Sequence, residues 1–129
     1  MKLMVWVGRI TGALVFLFSL AMGLMTLVDP VRMGEVLGLT SLSEMGRNTV
    51  RADISAFFLA SAIACGGGLF TGRSNWFFAA ALLYGMAVSG RLIDALIAGA
   101  PDRLAGSVVI ELILVGLALI AAKLTARTT

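Results

Sequence analysis

Six polar residues in a largely apolar chain are placed where they could do chemistry. Arg51, Asp53, Arg91, Asp94 and Glu111 lie in or beside hydrophobic runs, and Asn48 stands just ahead of them. A lone charge in hydrocarbon costs several kcal/mol, so such residues face a bundle interior, an aqueous cavity or one another. Arg91 and Asp94 are three positions apart and share one side of a helix. Guanidinium forks suit the phosphate or carboxylate of a lipid headgroup. A protonated carboxyl beside an ionised one would give acid and base chemistry: Glu111 would be the candidate acid or base, Asp94 its partner, and Arg91 and Arg51 the stabilisers of developing negative charge. A third arrangement is purely internal, with Arg91 neutralised by Glu111 and Arg51 by Asp53 or Asp94, fixing helix register.

Composition sets the stage for these groups. The chain has 129 residues, of which 60% are hydrophobic and 13% charged, and its mean hydropathy is +1.02. Those values belong to the bilayer rather than to a soluble domain. Four crossings of roughly 20 residues each fit this length, and no room is left for a nucleotide-binding βαβ unit or a soluble catalytic domain. The formal charge of +3 comes from dispersed Lys and Arg, without the basic tract and interleaved aromatics of a nucleic-acid groove. No histidine is present and Cys65 is alone, so histidine-ligated haem, histidine-based zinc and an intrachain disulfide are excluded. Phosphate-binding glycine motifs and metal-spaced cysteines are missing too, and neither cofactor nor metal is expected.

The apolar runs predict an all-α, antiparallel four-helix membrane bundle forming a single domain, with spans near 3–28, 52–72, 76–98 and 104–122. The first run competes with a signal peptide, because Lys2 precedes it and Ala21-Met22-Gly23 resembles a cleavage site. Its continuation to Val28 favours a span. Asp29-Pro30 ends it, since the residue before proline is pushed away from αR. The connection 29–51 mixes Arg32, Glu35, Glu44 and Arg47 with Met33, Val36, Leu37 and Leu42, a pattern for a short interfacial helix or turns covering the bundle mouth. Ala52, Ala56, Ala60, Ala64 and Gly68, and then Ala81, Gly85 and Ser89, recur every four residues and predict close helix contacts.

Depth then brings the charges together. Arg91 lies seven residues before Ala98 and Glu111 seven after Leu104, so both sit about 10 Å inside their spans from the same membrane side. Arg51 and Asp53 open the second span on that side. The expectation is a polar vestibule beneath the connection, lined by Arg51, Asp53, Arg91, Asp94 and Glu111. This cluster of charges does not recur in the other half, which argues against a transport pathway.

Asn48-Thr49-Val50-Arg51-Ala52-Asp53, Gly90-Arg91 and the late Glu111 resemble a bacterial family of small four-helix membrane proteins, domain of unknown function number 4345. The resemblance covers nearly the whole chain, with Asn48, Arg51, Arg91 and Glu111 as its matching polar positions. It implies a multi-pass protein of the bacterial inner membrane and carries no established activity. The leading expectation is a membrane binding or accessory protein whose partners are lipids, a membrane subunit or a second copy; an enzyme acting on an amphiphile is the alternative.

Lys2, Arg9, Arg73, Lys123 and Arg127 lie on one side of the membrane, against Arg32, Arg47, Arg51 and Arg103 on the other, which favours cytoplasmic termini. Single cysteines introduced as Thr40→Cys, Ser74→Cys and Thr128→Cys, in a Cys65→Ser background, test the arrangement. Labelling with a membrane-impermeant thiol reagent should reach the first from the opposite side to the other two.

Overall fold

Each long apolar run is helical, and most helices end at a residue that explains the ending. The computed structural model describes residues 1–126; Arg127, counted above among the basic residues near the termini, lies outside them. The helices are α1 (Lys2–Val28), α2 (Pro30–Val36), α3 (Glu44–Thr71), α4 (Ser74–Ala98) and α5 (Leu104–Ala126), with no strand among the described residues. All except α2 are long and apolar enough to cross a membrane. At 23 to 28 residues they measure about 35 to 42 Å, against roughly 30 Å of hydrocarbon.

Short connections force the long helices to alternate in direction. Asp29 ends α1 and caps α2, accepting a hydrogen bond from the Arg32 amide at 3.1 Å, with Pro30 in the first turn. Ser43 caps α3 in the same manner through the Gly46 amide, at 3.0 Å. Gly72 closes α3 in the left-handed region at φ +67°, and Gly99 closes α4 at φ +90°, conformations that cost other residues a Cβ clash. In the resulting ring, α1 and α4 each contact α3 and α5. That leaves α1 and α4 as a diagonal pair running in parallel.

The diagonal is bridged through the bundle's centre. The Tyr84 and Ser19 hydroxyls are hydrogen-bonded at 2.6 Å, and both residues are buried. One heptad earlier on both helices, the Phe77 ring enters between Gly12 of α1 and Gly68 of α3. A Cβ added to either glycine would lie 2.6 Å from that ring. Val15, Phe58, Cys65, Ala80, Ala118 and Ala122 fill the surrounding core, with Cys65 fully buried.

Three findings differ from the sequence expectation. First, α3 begins at Glu44 rather than near residue 52, because the Ser43 cap and the buried Val50 hold an extra stretch of helix. The connection therefore shrinks to Asp29–Ser43, with α2 as its short helix and Pro30 and Met33 buried against the bundle. Second, α3 widens into a π-helical turn over Val50–Ile54. The Ser55 hydroxyl donates to the carbonyls of Arg51 and Ala52 within that turn.

Third, the four-residue stripes are only half interior. Ala64 and Gly68 are buried, whereas Ala52, Ala56 and Ala60 face outward; likewise Ala81 is buried and Ser89 is not. Four residues turn an α-helix through about 400°, so a strict four-residue series drifts about 40° per step and leaves the contact face.

Charge is distributed unequally between the two ends. Asp29, Glu35, Glu44, Asp53, Asp94, Asp102 and Glu111 account for all 7 acidic residues, and every one falls in the half that holds the long connection.

Crowding around Phe77 gives a paired test. Gly68→Ala should lower stability by about 1–3 kcal/mol through overpacking. Gly85→Ala, where a Cβ meets nothing within 4 Å, should be neutral or stabilising by up to about 1 kcal/mol. Thermal unfolding of the two variants in one mild detergent makes the comparison.

Candidate functional site

Antiparallel packing of α4 and α5 across the short turn at Gly99–Arg103 puts Arg91 opposite Glu111. The Arg91 Nε–H donates to both carboxylate oxygens, at 2.9 Å to Oε1 and 3.0 Å to Oε2. Glu111 is the more enclosed partner, with 13% of its side chain exposed against 37% for Arg91. The heptad that carries Phe77 and Tyr84 to the bundle's centre ends at Arg91, so the arginine leaves α4 on its inward side. Its two terminal amino groups make no hydrogen bond to another described residue, which leaves four N–H donors for something else.

The pair stands on the wall of two adjoining cavities. The outer, about 380 Å³, is bounded by Leu37 and Leu39 of the connection, by Ile54, Phe57 and Phe58 of α3, and by Ala87, Arg91 and Glu111. An inner recess of about 140 Å³ shares Leu37, Phe58, Arg91 and Glu111, and reaches Met22, Tyr84, Ser107 and Leu114. Arg91 and Glu111 are the only charged residues lining either space among the described residues.

Aromatic edges give the inner wall a fixed shape. Phe57 packs edge-on against both Phe58 and Tyr84, with ring centroids 5.1 and 5.3 Å apart. The Tyr84 hydroxyl is already bonded to Ser19, with Ser61 beside it.

Of the six candidate residues, the structure joins two. Asn48, Arg51, Asp53 and Asp94 are outward-facing, line neither cavity and make no side-chain hydrogen bond or ion pair with a described residue. The expected vestibule thus keeps its place beneath the connection while its charged lining reduces to Arg91 and Glu111. An ion pair of Arg51 with Asp53 or Asp94 is not formed. Asp94 makes no hydrogen bond to Glu111, so the two-carboxylate arrangement required for acid and base chemistry is not assembled.

What the sequence expectation missed is apolar: Leu37, Leu39, Phe57, Phe58 and the single tyrosine. Tyr84 carried a signal, being seven residues before Arg91 on the same helix face.

Comparison with family models, with curated proteins and with solved structures finds no match.

The geometry predicts a non-additive response to mutation. Arg91→Leu or Glu111→Leu alone strands one charge at membrane depth and should cost about 2–3 kcal/mol. The double replacement should recover most of that loss. A double-mutant cycle on unfolding free energies in detergent micelles checks it; additive losses would mean the charges act independently.

Proposed function

We propose that this chain is a multi-pass protein of the bacterial inner membrane, with both termini cytoplasmic, that binds the head of one membrane amphiphile in the cleft beneath the 29–43 connection. The single observation that carries this reading is the placement of Arg91 and Glu111. They form a neutralised pair on the wall of an otherwise apolar cleft, and the guanidinium's terminal donors are uncommitted. An ion pair needed only for register could sit as well inside a closed core; this one faces space large enough for a ligand.

Electrostatics narrows the headgroup. The pair carries no net charge, so a free anion would meet repulsion from Glu111 as well as attraction from Arg91. A zwitterionic head satisfies both partners: its phosphate accepts from the free guanidinium N–H groups, and its ammonium approaches the carboxylate. Leu37, Leu39, Ile54 and Phe57 offer apolar contact to the first part of an acyl chain. Phosphatidylethanolamine has this chemistry.

The excess of Lys and Arg on the terminal side supports this orientation, under which the cleft would face the outer leaflet. Arg91 and Glu111 are two of the four polar positions through which the chain resembles domain of unknown function number 4345, and we extend the proposal to membership of that family.

Native mass spectrometry of gently extracted protein tests the binding. Wild type should retain one phosphatidylethanolamine per chain, and a folded Arg91→Ala/Glu111→Ala double variant should lose it. Leu39→Glu, which alters the cleft mouth without touching the ion pair, should weaken retention as well. Equal retention by wild type and both variants would refute the cleft as the binding site.

A further inference from the structure

The opposite end of the bundle holds a further cavity, whose wall carries a net positive charge among the described residues. A space of about 330 Å³ opens between the start of α1, the end of α3 and the end of α5, bounded by Val5, Arg9, Thr71, Gly72, Phe77 and Leu124. Two backbone features create it. The helix α3 stops at Thr71, and Gly72, in its left-handed conformation, contributes no side chain: a Cβ there would meet nothing within 4 Å. Phe77 closes the inner end, anchored between its two glycines.

Arg9 is the only charged residue on this wall among the described residues. It lies two helical turns into α1, on the stripe formed with Lys2 and Val5, and makes no hydrogen bond or ion pair with a described residue. A guanidinium at interfacial depth gains strongly from an anionic acceptor. Among the described residues no acidic side chain supplies one here, because all of them lie in the other half of the bundle. Lys2, Arg73 and Lys123 stand at the same end as Arg9 and add to its positive field.

We propose that this cavity is a specific site for an anionic phospholipid of the leaflet facing the termini, with Arg9 binding the phosphate, Lys2 reinforcing it from the outer turn, and Val5, Phe77 and Leu124 contacting the upper acyl chain. The site is separate from the Arg91–Glu111 cleft and does not depend on the reading of that cleft. The two differ in membrane side, in net charge and in the lipid they select.

The test is lipid titration of delipidated protein followed by native mass spectrometry, using phosphatidylglycerol and phosphatidylcholine with the same acyl chains. Wild type should bind phosphatidylglycerol about tenfold more tightly than phosphatidylcholine, because the choline ammonium cancels the phosphate's net charge and is repelled by Arg9 and Lys2. Arg9→Gln should abolish that preference and Arg9→Lys should keep most of it. Because Arg9 is exposed at the cavity wall, both variants should retain the wild-type unfolding temperature. The proposal is overturned if the two lipids bind wild type equally, or if Arg9→Gln keeps the preference. It is likewise overturned if millimolar inorganic phosphate displaces phosphatidylglycerol, since the site would then serve a soluble anion.

Discussion

A charge placed among hydrocarbon must find its opposite, and that requirement organises the loop-side half of this bundle. Arg91 and Glu111 lie on successive antiparallel helices at equal distance from the turn that joins them. Sliding α4 against α5 by one turn would separate the pair by about 5.4 Å and leave two isolated charges. Register between these helices is therefore chosen by electrostatics. Breaking one partner is costly and removing both is not, so the pair specifies an arrangement more than it adds net stability.

The other organising contact is the parallel diagonal. Phe77 meets Gly12 and Tyr84 meets Ser19, with the same heptad step on both helices. Neighbouring helices in the ring can shift only if these cross-bundle contacts break, so the aromatic wall of the cleft rests on a fixed centre. The mouth has a different character. Leu37 and Leu39 belong to a connection anchored by the buried Met33 of α2, by the Leu39 amide bonded to the Gly34 carbonyl at 2.8 Å, and by side-chain caps at Asp29 and Ser43. The cover is thus tied down at α2, while its far end reaches α3 through the Ser43 cap.

Much of this was legible in the residues alone. The four spans followed from apolar length. The common depth of Arg91 and Glu111 followed from arithmetic, because helical rise is constant and the turn between α4 and α5 is short, and their pairing was one of three arrangements it allowed. Azimuth was harder to read. Arg91 and Asp94 are three residues apart, yet that spacing leaves them about 60° from each other around the helix, enough to put one on the cleft wall and the other outside. Arg51 and Asp53 were misjudged for a related reason: their helix starts at Glu44 and is widened at the residues that carry them. No composition signal marks a π turn. The apolar cleft wall was hidden because Leu and Phe are common throughout the chain, and only their meeting with the 37–39 segment distinguishes the ones that line it.

That widened turn also bears on how such a fold can diversify. A π turn accommodates one residue more than the α-helix it interrupts. Losing that residue between Val50 and Ile54 would restore regular helix with the segments on either side still in phase, so Leu37 and Leu39 would stay over the ion pair. Turning the same five residues into regular helix without a deletion would instead swing everything upstream by about 100° relative to the bundle, while the helices below Ser55 kept their contacts. The widened turn is thus a place where the chain can gain or lose one residue with the cover of the cleft and the membrane-embedded frame keeping their alignment.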